Sequence, residues 1–231
     1  MINIIPVLDL KDSIAVSGKS GLRDTYQPLQ TIYSSSQNPI IISNSLKLNG
    51  ALEIYVADLD LIEKKGHNID IIKMINQTNS LIFDGGIKNF NSFKFFLDFA
   101  YKLVVATETL ESIDELYKIF NTFPKERIVI SIDIKDDKIL SNNLDLSKNE
   151  IKRILKELDP DEIILLDISR VGTKKEFNID LLDEFIEFKD KLILGGGITS
   201  DQLNDLENKG IKKVLMGTAI HNGEVKIHPS F

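Results

Sequence analysis

The sequence predicts an α/β fold, a single (β/α)8 TIM barrel of 231 residues built from two repeated half-barrels at about 1–123 and 124–231. Three observations predict it. Short apolar runs of strand length alternate with helix-length segments along the whole chain, which is the pattern of parallel βαβ units. Four landmarks recur in the same order in the two halves, as a doubled half-barrel requires. Two glycine turns follow the last two predicted strands, where barrels frequently build a phosphate site.

Taken in order, residues 2–8 form a near-continuous apolar run ending in Asp9, the pattern of a buried strand with a polar C-terminal end. Residues 11–37 are polar, with Gly18, Gly21 and Pro28, and a connection this long suggests a lid or binding loop. Asn38-Pro39 opens the first helix and Gly50 stops it. Strand two is read at 53–57, ending in Asp58 and Asp60, with a helix at 69–74. Strand three is 81–83, ending in Asp84-Gly85-Gly86, and helix three, 90–99, carries phenylalanines on its core face. Strand four is 103–106, ending in Thr107, with a helix at 113–120. After Pro124, strand five at 127–132 ends in Asp133 and is followed by a helix at 148–157. Strand six, 163–166, ends in Asp167, and the next helix begins near Asp180. Strand seven is 192–194; Gly195-Gly196-Gly197 follows, with Ser200 as the expected N-cap and Gly210 as the helix stop. Strand eight, 214–216, leads into Gly217-Thr218-Ala219, and the final helix is expected to be shortened or absent.

The repeat selects a barrel over an open sheet. Asp9-Leu10-Lys11-Asp12 is echoed by Asp133-Ile134-Lys135-Asp136, and Lys64-Lys65 through Asp70 by Lys174-Lys175 through Asp180. Asp84-Gly85-Gly86-Ile87 is echoed by Gly195-Gly196-Gly197-Ile198, and Val104-Val105-Ala106-Thr107 by Leu215-Met216-Gly217-Thr218. A two-fold about the barrel axis then sets Asp9 and Asp133 opposite each other at the C-terminal rim, where barrel enzymes keep their chemistry. Opposed carboxylates work as an acid and base pair if their environments push their pKa values apart, and otherwise cap backbone N–H groups. The same symmetry sets one anion site at Gly85, Gly86 and Thr107 and another at Gly196, Gly197, Gly217 and Thr218.

Composition narrows the function. There are no cysteines, so disulfides, thiolate metal sites and cysteine nucleophiles are excluded. His67, His221 and His228 share no metal-ligand spacing and read as surface or loop residues; no metal is expected. A net charge of -7 argues against nucleic acid as a partner, since phosphate backbones are bound through clustered Lys and Arg. The N-terminus lacks a basic n-region and no apolar run is long enough to span a bilayer, so a cytoplasmic protein without membrane contact is expected.

The stretches IPVLDLKD, DLDLIEKKGHN, DISRVGT, GGGITS and MGTA together resemble the ProFAR isomerase and imidazole glycerol phosphate synthase cyclase family of histidine biosynthesis, over essentially the whole chain. GGGI and VADLD are more similar to the isomerase. The resemblance implies an Amadori-type aldose–ketose rearrangement of a phosphoribosylamine, without organic cofactor or metal. It implies Asp9 as general base at C2, Asp133 as general acid at the ring oxygen, and two phosphates of a small metabolite on the glycine turns. It also implies Lys11, Asp58, Asp167, Arg170, Gly172 and Thr173 as further pocket residues.

Several positions depart from the family pattern. Leu166 stands where a Thr usually precedes the strand-six acid, Val171 replaces an Asp, and Ala106 and Asp84 replace glycines. A Gly-Trp pair after strand five is missing, and residues 136–144 offer no aromatic to stack on an imidazole. These changes imply a divergent, archaeal-type paralogue with a different ligand. A cyclase-type lyase, which needs a glutaminase partner, and a non-catalytic phosphometabolite-binding protein are the alternatives. The short C-terminus suggests a homodimer covering the seam between strands eight and one.

Overall fold

The computed structural model describes residues 2–173 and 175–227, so Lys174 of the repeat and His228 lie outside the described residues. Eight parallel strands close into a barrel: β1 (Asn3–Lys11), β2 (Ile54–Asp58), β3 (Leu81–Asp84), β4 (Lys102–Ala106), β5 (Ile128–Lys135), β6 (Glu162–Asp167), β7 (Leu192–Gly195) and β8 (Lys213–Met216). Closure comes from β8 against β1, with Asn3 opposite Lys213 and Ile5 opposite Leu215. Outside lie α1 (Pro39–Leu48), α2 (Ile69–Thr78), α3 (Phe90–Phe96), α4 (Ile113–Thr122), α5 (Lys148–Leu158), α6 (Ile179–Glu184), α7 (Leu203–Asn208) and the one-turn α8 (Thr218–His221). The protein is a (β/α)8 TIM barrel. Among the described residues no helix is long and apolar enough to cross a membrane.

Strand alternation divides the apolar residues into two cores. Ile5, Tyr55, Ile82, Val104, Val129, Ile164, Ile193 and Leu215 fill the barrel interior, in layers contributed by alternate strands. Residues of the opposite parity, such as Leu8, Val56, Phe83 and Leu165, pack outward against the helices. The N-terminal end of the barrel is shut by a ring of alternating charges. Lys102 reaches Glu53 at 2.6 Å and Glu162 at 2.7 Å; Lys213 reaches Glu53 at 2.5 Å and Glu162 at 2.6 Å. Among the described residues the barrel is therefore closed at its N-terminal end and open at its C-terminal face.

Local chemistry sets most helix starts. Asn38 accepts from the N–H groups of Ile40 and Ile41 with Pro39 at the first helical position, and Ser147 and Glu150 form a capping box on α5. The expected cap at Ser200 is corrected: its hydroxyl bonds to Asp201, residues 201–202 form a turn, and α7 starts at Leu203 behind Gln202. The third helix also stops short of the expectation, at Phe96, and Phe95 on it is exposed. The final helix is shortened to one turn, and Ile220, Val225 and Ile227 that end the described chain are buried.

The long connection after β1 is not irregular. It folds back as an antiparallel hairpin, Ile14–Ser17 with Gln27–Pro28, joined to β1 through Asp9 opposite Val16. A turn of 3-10 helix, Arg23–Thr25, sits in its tip. This hairpin leans over the C-terminal mouth.

Candidate active site

The mouth holds a cavity of about 420 Å³. Its floor and walls come from the C-terminal ends of the strands: Asp9 of β1, Tyr55 and Ala57 of β2, Asp84 of β3, Asp133 of β5 and Leu166 of β6. The turns after β7 and β8 supply Gly196, Gly197, Thr199, Gly217 and Thr218. Asp9 and Asp133 thus face one space from strands half a barrel apart.

Their surroundings differ. No hydrogen-bond donor reaches the Asp9 carboxyl among the described residues, whereas Asp133 Oδ1 accepts from the Ser131 hydroxyl at 2.8 Å. Burial pushes Asp9 up to about 7, with the Arg23 guanidinium opposing and the Asp84 carboxyl adding to the shift. Burial likewise pushes Asp133 up to about 7, reinforced by Glu108 and Asp84 and opposed by Ser131 and Arg23. The two pKa values are thus not pushed apart as expected; both are lifted together to near neutrality, where such groups exchange protons readily, which an ordinary aspartate at pH 7 does not.

A stability prediction follows from these shifts. The native state keeps a proton on Asp133 up to about pH 7, while the unfolded chain releases it near 3.8. Stability therefore falls as pH rises through that window and stays low above it. Asp133→Asn keeps the acceptor for Ser131 and removes the ionisation. Its melting temperature should exceed the native one by several °C at pH 8 and match it near pH 4, a few kcal/mol corresponding to roughly 2–4 °C each. Equal differences at both pH values would show that Asp133 is not ionised against burial.

Asp84 holds the third carboxyl. Its Oδ2 accepts from Tyr55 Oη at 3.0 Å and its Oδ1 from the Gly86 N–H at 3.0 Å, and burial lifts its pKa. Tyr26, from the hairpin, is pushed up to about 12 by burial and by Asp9. Among the described residues no group of three or more His, Asp or Glu side chains is placed to hold a metal ion.

The two glycine turns have different fates. Gly196 and Gly197 have φ of 94° and 82°, and a Cβ on either would lie 2.2 Å from a backbone oxygen, of Asp167 and Lys175 respectively. Only glycine fits there. Around them stand Arg170, Lys175 and Thr199, whose buried Oγ1 has no partner. An anion can be held here by bare backbone and two cations. The expected site in the first half needs correction. Gly85 and Gly86 are buried beneath Phe83, Leu61 and Ile62, outside the cavity lining. Thr107 is buried too, and its hydroxyl accepts from the Asp133 N–H at 3.2 Å.

Of the other expected pocket residues, Arg170 and Gly172 line the cavity. Asp58 does not: it caps the helical turn Leu59–Ile62 through the Leu61 N–H and binds Asn68 through N and Nδ2. Asp167 pairs with Arg170 Nε at 3.1 Å and orients it, and the Thr173 hydroxyl donates to the Arg170 carbonyl. Lys11 donates to the Arg23 carbonyl at 3.0 Å and steadies the hairpin. His221 is buried, not a surface residue. Its Nε2 meets the Val7 carbonyl at 2.8 Å, so that nitrogen carries the proton, and Nδ1 accepts from the Thr31 hydroxyl at 3.0 Å.

The long first connection is legible in the sequence, but its key side chain is not. Arg23 makes a two-point ion pair with Glu108 after β4, both bonds 2.9 Å, across the mouth. On the other side Ser20 N–H donates to the Val171 carbonyl at 2.8 Å, and a Cβ on Gly172 would lie 2.2 Å from the Gly18 oxygen. The hairpin is thus fastened to the loops after β4 and β6, closed over the cavity.

A family model described as histidine biosynthesis protein matches residues 3–226. The chain is 41% identical over 228 residues to an uncharacterized protein of Methanocaldococcus jannaschii, covering 95% of this chain and 93% of that one. It is 27% identical to the 1-(5-phosphoribosyl)-5-((5-phosphoribosylamino)methylideneamino)imidazole-4-carboxamide isomerase (ProFAR isomerase) of Persephonella marina, covering 97% and 95%. The isomerase of the same name from Methanosphaera stadtmanae is 24% identical, covering 97% and 96%.

Proposed function

The chain belongs to the histidine biosynthesis protein family, and from that premise we propose that it is a cofactor-independent aldose–ketose isomerase performing an Amadori-type rearrangement of a phosphorylated ribosylamine. The observation that carries the reading is the pair Asp9 and Asp133, on opposite strands, facing one cavity with both carboxyls lifted to about 7. Asp133 protonates the ring oxygen as the C1–O bond breaks. Asp9, whose carboxyl has no competing donor, removes the C2 proton. Protonated Asp9 then delivers a proton to C1 while the C2 hydroxyl gives its proton to the ionised Asp133, so that the enaminol becomes the aminoketose and both carboxyls return to their starting states. Each role requires a group that is half-ionised near the working pH, which burial supplies here.

The phosphate is held at Gly196, Gly197, Gly217 and Thr218, with Arg170, Lys175 and Thr199 around it. The lid formed by the hairpin excludes water from the enaminol. Leu166 and Val171 make part of the cavity wall apolar.

Incubation of the purified chain with a set of N-substituted 5-phosphoribosylamines, followed by NMR, tests the reading. Conversion of at least one to its 1-amino-1-deoxyketose is expected, and Asp133→Asn abolishes it. Binding without conversion across the set would leave a phosphometabolite-binding protein as the better account.

A further inference from the structure

The cavity is lopsided in charge. At the β7–β8 end it offers glycine backbone, Arg170 and Lys175. The equivalent place after β3 and β4 is closed from within. Gly85 and Gly86 are buried against Phe83 and Ile62 and lie outside the cavity lining, whereas Gly196 and Gly197 line it. The Gly86 N–H, which an anion would need, is already given to Asp84. Arg23 lines this side of the cavity, with one N–H of each terminal nitrogen on Glu108, so that its charge is matched by that carboxylate.

What this end shows a ligand is therefore carboxylate oxygen and tyrosine hydroxyl. Asp84 and Glu108 line the cavity together with Asp9 and Asp133. Each oxygen of Asp84 accepts one hydrogen bond and keeps a lone pair free. A second phosphate here would meet Asp84, Asp9 and Asp133, with the Arg23 charge already matched by Glu108 and the Gly86 N–H already given to Asp84, an arrangement that selects against it. An ammonium group would meet acceptors on two sides.

We propose that the substrate carries a single phosphate, held at the β7–β8 end, and presents an ammonium or amine group, in place of a second phosphate, to Asp84 and Glu108. This rests on the isomerase reading and specifies its substrate class: an aminoaldose monophosphate whose nitrogen bears no anionic and no aromatic substituent. Asp84 acts as a specificity residue, rejecting the bisphosphate by charge and by consuming the Gly86 N–H.

Calorimetric titration of the full chain with three probes tests it: inorganic phosphate, 1-amino-1-deoxyribulose 5-phosphate and ribulose 1,5-bisphosphate. The two sugars share a carbon skeleton and differ in whether C1 bears an amine or a phosphate. The aminoketose monophosphate is expected to bind at least about tenfold more tightly than the bisphosphate, and Asp84→Asn to shrink that ratio severalfold. A bisphosphate that binds the native chain as tightly as the aminoketose would overturn the inference while leaving the anion site and the isomerase reading standing. A ratio unchanged in Asp84→Asn would overturn the role given to Asp84. Failure of all three probes to bind at millimolar concentration would overturn the anion site, and the isomerase reading with it.

Discussion

Asp9→Asn lowers turnover by about 10²–10⁴-fold while leaving affinity for inorganic phosphate nearly unchanged. The loss is that of a positioned base at C2. The variant keeps the shape of the side chain and cannot take a proton. Phosphate affinity is spared because the anion site is built from the turns after β7 and β8, with Asp9 on β1 outside it. Stopped or steady-state kinetics with a turned-over ribosylamine, beside phosphate titration, separates the two effects. Loss of both together would mean that Asp9 shapes the cavity and does not act on the proton.

Gly196→Ala carries the largest expected cost in stability. The new Cβ would lie 2.2 Å from the Asp167 carbonyl oxygen, 2.8 Å from its carbon and 3.0 Å from its nitrogen, all backbone atoms of β6. No side-chain rotation relieves that contact, and φ at this position is 94°. Strain at a left-handed position and overpacking each cost about 1–3 kcal/mol, so a loss of about 2–5 kcal/mol and of phosphate affinity is expected. Gly217→Ala is the control. Its nearest neighbour would be Val7 at 3.8 Å, an ordinary contact, and φ is -99°. Denaturant midpoints should separate the two variants clearly; similar midpoints would mean that the β7 turn shifts to admit a side chain.

The two acid–base candidates were legible because strand ends and repeat coincide at Asp9 and Asp133. The carboxylates Asp58 and Asp167 also stand at strand ends, yet they lie outside the lining, Asp58 on backbone N–H groups and Asp167 on Arg170. The difference lies in parity. Ala57 and Leu166 point into the barrel, so their successors point out, whereas Asp9 follows Ile5 and Val7 on the inward face and Asp133 follows Val129 and Ser131. Counting in twos along each strand separates the pairs from sequence alone. The Arg23–Glu108 clasp had no such signal, since its partners lie 85 residues apart and one is in a loop. The closure of the Gly85-Gly86 turn was hidden for another reason. The motif fixes backbone shape, but whether Ile62 or a ligand fills the space beside it depends on packing from β2's helical turn.

The measurement that bears most directly on the acid–base account is exchange of the substrate C2 hydrogen with solvent deuterium, followed by NMR during turnover. The native chain is expected to wash that hydrogen out as the aminoketose forms, and Asp9→Asn to show neither exchange nor product. Product formation at the native rate in Asp9→Asn, with or without exchange of the C2 hydrogen, would contradict a mechanism in which Asp9 removes the proton.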